Sequence, residues 1–367
     1  MSCDIIIPVW NQLEATKACI ESIFGNTDYP YRLILVDNGS EKETKIYLES
    51  LKDVGRGTWD VGRGIRPEVV LIRNEKNLGF VKAVNQGIAA SRSPYLCIMN
   101  NDTIATNGWL TELIRVMVSN PEIGLINPSS NTSGQFPGES VSIDDYAKSL
   151  GDMKGRIQEL YTCRGFCMVV RREVIERLGP LDEVYRLGYF DDTDYCKRAQ
   201  EAGYRTARAK SSYVFHKENT SFKEMKDNTD LFKNNEKIFF ERWGKPLRIG
   251  YFIEKRDSGA VVNDIAIGVA RSGYQINIFI RKGWHWPVSL DHFDIRGVTL
   301  SPFLFGLVSF YKIMKRKKKK RLDALVTDSP FFGNCLKLLK YMHGTPVFVN
   351  PGKEELLSVL KDMSKTF

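Results

Sequence analysis

The sequence predicts an α/β protein with a central, mainly parallel sheet, followed by a second, smaller α/β unit. Three observations carry this. Short apolar runs rich in Ile, Val and Leu alternate with stretches whose apolar residues recur at helical spacing. The connections between runs are too long for hairpins, which implies right-handed crossovers and a sheet covered on both faces. The alternation closes near Gly244 and restarts at Leu247, dividing the chain into residues 1–245 and 246–367.

The elements follow in order. "CDIIIPVW" is a first strand, stopped by Pro8, and "LEATKACIESIFGN" a helix closed by Gly25-Asn26. "YRLILVDNGS" is a buried strand and turn, "TKIYLESLKD" a helix, "EVVLIRN" a strand, "GFVKAVNQGIAAS" a helix and "PYLCIMNND" a strand. The Gly/Arg-rich "GRGTWDVGRGIRP" reads as an exposed loop. A helix and strand occupy "NGWLTELIRVMVSNPEIGLINP". Residues 129–160 are polar and weakly periodic, and read as a mobile or substrate-facing loop. A strand and helix in "YTCRGFCMVVRREVIERLGPLDE", a helix in "DDTDYCKRAQEAGYR", a strand ending at His216 and a helix ending at Gly244 complete the first unit. The second unit opens on "LRIGYFIE" and adds "NDIAIGVARSGY", "QINIFIRK", "LDALVTD", "CLKLLKYMHG" and "TPVFVN".

Composition narrows the class. The 367 residues are 43% apolar and 26% charged, as in a soluble globular protein. No apolar window is long enough for a bilayer-spanning helix. The N-terminus lacks a basic flank and cleavage site and reads as a strand, not a signal peptide. Seven scattered cysteines suggest a reducing compartment. Cys163 and Cys167 form a lone CxxxC, read as two buried thiols. Of the net charge of +9, a visible part sits in "KIMKRKKKKR", where eight of ten residues from Lys312 to Arg321 are basic. This is a solvated helix end or loop, or a contact for anionic membrane through Lys315–Arg321. No aromatic-interleaved basic platform accompanies it, so no nucleic-acid partner is expected.

Polar clusters stand where four strands end: "PVWNQ", "VDNGS", "RNEKNLGF" and "NNDT". One such end is a turn signal. Four in one parallel sheet suggest a shared pocket, because ligands sit beyond the carboxyl ends of such strands. The sequence has no G-x-x-x-x-G-K-[ST] and no G-x-G-x-x-G after the first strand. A nucleotide would then be held by a carboxylate at its base or ribose, placed at Asp37, and by a cation on its diphosphate, placed at Asp102.

In this order and spacing, "IIIPVWN", "VDNGS", "NEKNLGFVKAVNQGI", "MNNDT", "YTCRGFCMVVRREVIERLGPLDE" and "YFDDTDYCKRAQEAGYR" resemble a family 2 glycosyltransferase of the GT-A fold over about residues 3–245. The resemblance implies inverting transfer from a nucleotide-diphosphate sugar to a glycan or lipid-linked acceptor in cell-surface polysaccharide synthesis. It also implies dependence on Mn²⁺ or Mg²⁺. The family's Asp-x-Asp metal motif falls here on Asn100-Asn101-Asp102, with an amide in place of the first carboxylate. His216 joins Asp102 as a metal ligand by the same resemblance. Asp192 is the implied general base and Asp191 its neighbour, so the literal Asp192-Thr193-Asp194 is not the metal motif. Pro8, Val9, Trp10, Asn11 and Asp37 are implied to border base and ribose. Asn77, Gly79 and Phe80 are placed along the nucleotide, and Arg164, Gly165 and Phe166 at the acceptor pocket.

Residues 246–367 resemble, more weakly, the first half of a GT-B family 4 glycosyltransferase: a fragment of a second transferase or a docking unit, inert alone. The implied setting is cytoplasmic, peripheral on the inner face of the plasma membrane. Two other functions compete with this one. A sugar-1-phosphate nucleotidyltransferase needs a Gly-rich signature with Arg and Lys that "PVWNQLEAT" lacks. A catalytically silent nucleotide-sugar or glycan-binding module draws support from the missing carboxylate.

Overall fold

The computed structural model describes residues 1–53, 67–217, 228–314 and 321–366. Two contact units divide the chain: residues 1–158 with 162–237, and residues 159–161 with 238–367. Among the described residues no helix is long and apolar enough to cross a membrane.

In the first unit, β1 (Cys3–Val9) lies between β2 (Tyr31–Asn38) and β4 (Tyr95–Met99), with β3 (Glu68–Asn74) outside β2, all parallel. The other strands are β5 (Thr103–Ala105), β6 (Ile123–Ser129), β8 (Cys167–Arg171), β9 (Arg205–His216) and β7 (Ile157–Leu160), whose last two residues belong to the second unit. The sheet runs β3-β2-β1-β4-β8-β6-β9-β5. β8 is antiparallel to β4 and β6, and β5 is antiparallel to β9. These reversals leave β4, β6 and β9 ending at one edge, where β8 begins. That edge therefore collects strand ends from across the sheet.

Burial follows the sequence pattern. β1, β2 and β4 are buried at every position, because helices cover both faces. β3, at the sheet margin, is only partly buried. The helix Phe80–Ala90 packs close on β1. A Cβ on Gly87 would stand 2.3 Å from the Ile6 side chain. Pro8 does not stop the strand, contrary to the sequence reading. It continues opposite Val36, while pairing of β1 with β4 ends at Ile6. The missing N–H therefore costs no ladder bond on the β4 side. The segment read as a loop over 129–160 also carries structure. Ser142 caps the helix Ile143–Ser149 by accepting the Asp145 N–H, and β7 follows. The predicted loop at 55–67 lies almost wholly outside the described residues, as do residues 315–320 of the basic run.

The second unit is a parallel sheet: β10 (Arg248–Phe252), β11 (Gln275–Arg281), β12 (Ile295–Leu300), β13 (Ala324–Thr327) and β14 (Val347–Val349). Its order, β12-β11-β10-β13-β14, is that of a doubly wound Rossmann-like half. β12, the helix Phe305–Met314 and the helix Lys353–Lys365 went unread in the sequence.

Candidate active site

A cavity of about 540 Å³ opens at the edge where the strands of the first unit converge. Its lining comes from far apart in sequence: Phe80, Asn100, Thr132, the 162–166 turn, the 188–193 segment, His216 and Phe232.

Asp191 and Asp192 open the helix Asp191–Glu201. Asp192 is held at both oxygens. Oδ2 accepts the Gly165 N–H at 2.8 Å; Oδ1 accepts the Thr193 N–H at 2.6 Å and its hydroxyl at 3.1 Å. Asp191 is 5% exposed. Burial pushes both carboxyls above the usual range, and the charge of Asp192 pushes Asp191 further. Donated N–H groups and nearby Arg164 oppose the rise at Asp192. Asp194 serves elsewhere: buried, it accepts from Arg198 at 3.0 Å and from the Tyr185 hydroxyl at 3.2 Å.

The chain enters this helix by an unusual path. Arg186, Tyr189 and Phe190 all take left-handed φ values, 52°, 68° and 68°. Non-glycine residues there are strained and need outside support. Asn235, fully buried, supplies it by donating to the carbonyls of Tyr185 (3.0 Å), Gly188 (2.8 Å) and Tyr189 (3.3 Å). On the other side, the Arg186 carbonyl accepts the Val81 N–H at 3.2 Å. Gly79 (φ 93°) permits this approach, since a Cβ there would lie 2.9 Å from that oxygen.

At the cavity's other wall, His216 Nε2 lies 3.1 Å from Asp102 Oδ1. The imidazole stacks on Phe166 with centroids 5.2 Å apart, next to the Gly165 that holds Asp192. Asn131 fixes the His216 backbone by accepting its N–H and donating to its carbonyl, both at 2.8 Å. Asn127 fixes the 164–167 turn by accepting the Arg164 N–H and donating to the carbonyls of Arg164 and Cys167. Asn100 Oδ1, Thr132 Oγ1 and His216 Nδ1 are buried without a hydrogen-bond partner among the described residues. All three belong to residues lining the cavity. Buried polar atoms are normally paired, so this cluster marks a place where something polar is to be received.

The remaining expected residues are placed as follows. Asp102 is 7% exposed and meets the cavity's wall through His216, without lining the cavity itself. Asn101 turns to the Thr16 hydroxyl at 2.9 Å. Pro8 and Val9 are buried in β1; Trp10 is half-buried. Asn11 accepts the Glu41 N–H at 2.8 Å and donates its own N–H to Ser40 at 2.9 Å. Asp37, 1% exposed, accepts from Ser40 N–H and from the Arg73 guanidinium. Asn38 donates to Asn77 Oδ1 at 2.8 Å and accepts from Asn74 and the Leu78 N–H, tying the ends of β2 and β3 to the Asn77–Gly79 turn. Thr132, Tyr189, Phe190, Phe232 and Asn235 were not singled out in the sequence.

The Glycosyl transferase family 2 profile matches residues 4–179, a little under half of the chain. Asp191, Asp192 and His216 lie beyond it. An uncharacterized protein, y4gI, of Sinorhizobium fredii is 25% identical, the match covering 59% of this chain and 24% of that one. The pre-mycofactocin glycosyltransferase of Mycobacterium tuberculosis is 24% identical over 60% of this chain and 43% of its own. The chain thus spans less than half the length of either relative. Among solved structures, the mannosyltransferase PcManGT of Pyrobaculum calidifontis, in complex with GDP-Man and Mn²⁺, is 16% identical. It covers 60% of this chain and 57% of that one, with a TM-score of 0.45.

Proposed function

We propose that the protein is an inverting glycosyltransferase acting in cell-surface polysaccharide synthesis, peripheral on the cytoplasmic face of the membrane. It moves a hexosyl or deoxyhexosyl group from a nucleotide-diphosphate sugar to a glycan or lipid-linked acceptor. One observation carries this reading. Asp192, oriented by three donors, faces the same cavity as His216 and the three unpartnered polar atoms.

Asp192 accepts the acceptor's hydroxyl proton as that oxygen bonds to the anomeric carbon and the bond to the diphosphate breaks on the opposite face. A carboxylate with a raised pKa is a stronger base, and the Gly165 N–H sets its angle of approach. Asp191 stands beside it, its own carboxyl pushed up by burial and by the charge of Asp192. Asp102 and His216 would hold the divalent cation, Mn²⁺ or Mg²⁺, with the amide oxygen of Asn100 nearby. Among the described residues no three His, Cys, Asp or Glu side chains form a metal cluster. This donor set fits a cation that completes its shell with diphosphate oxygens, as Mg²⁺ commonly does. When bound, such an ion neutralises charge building on the leaving diphosphate. Trp10, Asn11 and Asp37 border base and ribose, Pro8 and Val9 offering backbone only. Asn77, Gly79 and Phe80 lie along the nucleotide.

The test is nucleotide release from UDP-, GDP- and dTDP-sugars with Mn²⁺ or Mg²⁺. Chelation and His216→Ala are each expected to abolish most release. Release insensitive to both would remove the cation from the mechanism. The amides at Asn100 and Asn101 favour a second reading, a nucleotide-sugar-binding module without turnover. Calorimetric donor binding with no release from any acceptor mixture would establish it.

Asn235→Leu is expected to lower turnover by about 10–100-fold, because the strained entry to the Asp191–Glu201 helix loses three hydrogen bonds. Donor affinity should change little, and a melting curve distinguishes misplacement from unfolding. An unchanged kcat would show that the segment holds its shape without Asn235.

A further inference from the structure

The second unit carries an apolar surface that its own core does not use. The helix Phe305–Met314 buries Phe305, Ser309 and Ile313 against the sheet. Its opposite side, with the turn before it, presents Phe303, Leu307 and Tyr311. The helix Pro330–Leu338 buries Phe332 and Leu336 but leaves Phe331 and Leu338 outside, and Tyr341 follows. These six side chains are between 55% and 94% exposed. The helices that carry them lie side by side. A Cβ on Gly306 would touch the Phe332 ring at 3.6 Å, and the helix Phe305–Met314 packs against Lys340–His343. So large an exposed apolar face signals a contact surface.

Charge identifies the occupant. Residues 301–345 hold ten Lys or Arg against two carboxylates, Asp323 and Asp328, and so supply eight of the nine net positive charges of the whole chain. Both carboxylates are engaged elsewhere. Asp323 accepts the Arg248 N–H; Asp328 accepts from Glu254, Lys255 and Ser258. A second copy of this surface would set cation against cation. An anionic bilayer instead takes the aromatic and aliphatic side chains into its headgroup boundary while Lys312, Lys337 and Lys340 meet lipid phosphates.

We propose that the face formed by Phe303, Leu307, Tyr311, Phe331, Leu338 and Tyr341 docks the protein on anionic lipid. The surface gives the peripheral setting proposed above a physical basis. Its test uses no sugar donor, so its failure leaves the transfer reading intact. The full chain is sedimented with vesicles of phosphatidylcholine alone or mixed with phosphatidylglycerol, at low and high salt. The expected result is binding to the mixed vesicles that weakens with salt, at least about tenfold weaker binding to the neutral ones, and a further loss of about tenfold in Leu307→Asp/Tyr311→Asp. Both positions are solvent-facing, so the melting temperature should hold. Absence of binding to mixed vesicles, or equal binding by the variant, overturns the proposal. So does a wild-type dimer that the variant converts to a monomer.

Discussion

Asp192→Asn is expected to lower sugar transfer by about 10²–10⁴-fold, the usual contribution of a general base, while donor binding stays within a few fold. The substitution removes the basicity and keeps an oxygen for the Gly165 N–H, while the amide nitrogen gives up the two bonds that Thr193 donates. Steady-state nucleotide release and calorimetric donor titration check the two halves. The raised pKa values set the pH dependence. Below the pair's titration the carboxyls are protonated and the base is lost. Activity in the wild type should therefore rise with pH through a range above that of ordinary carboxylates. A rate limited only at the ordinary carboxylate range would argue against Asp192 as the base.

Asp4→Ala is expected to destabilise the first unit by about 3–5 kcal/mol, the cost of stranding a buried partner. Asp4 is fully buried at the start of β1. It takes both prongs of the Arg32 guanidinium at 3.0 Å and accepts from the Ser93 N–H and hydroxyl. Arg32 also reaches the Ala90 carbonyl, so one cluster ties β1, β2, the helix Phe80–Ala90 and the approach to β4. The same contacts hold the Asp4 carboxyl down to about 2, although burial works against them. Its stabilisation is complete above the ordinary carboxylate pKa and disappears as pH falls from there toward 2. Denaturant melts of wild type and Asp4→Ala should thus converge in acid and diverge at neutral pH. Parallel curves across that range would assign the stability elsewhere.

What the sequence revealed depended on how local the signal was. The buried strands were legible because residues such as Ile5–Ile7 and Leu33–Val36 form unbroken apolar runs that only a two-sided sheet accommodates. β5 was not, being three residues long and stabilised by its pairing with distant β9. Pro8 misled because its effect depends on where the neighbouring strand ends. The amphipathic signal of the helix Phe305–Met314 was blurred by apolar residues on both sides, the feature now assigned to docking. Of the expected site residues, Asp102 stood out as a polar residue at a strand end, whereas Asp191, Asp192 and His216 were marked only by the family resemblance. Phe232 and Asn235 carried neither mark, since neither sits at an end and each acts on residues some forty positions away. The one hint was an Asn four residues before the buried Phe239 on a helix, a spacing usually filled by an apolar side chain. The left-handed backbone at Arg186, Tyr189 and Phe190 gave no sign, because glycine marks only position 188 of that turn.

The staple formed by Asn235 bears on how far this chain can be shortened. A polypeptide ending after residue 217 would retain every side chain assigned to proton transfer and cation binding. It would lack the amide that pins the entrance to their helix. Such a fragment should relax into commoner backbone angles at Tyr189 and Phe190, carrying Asp191 and Asp192 out of alignment. The chemistry proposed for Asp191 and Asp192 therefore requires a chain that reaches at least to residue 235, through a segment that performs none of it.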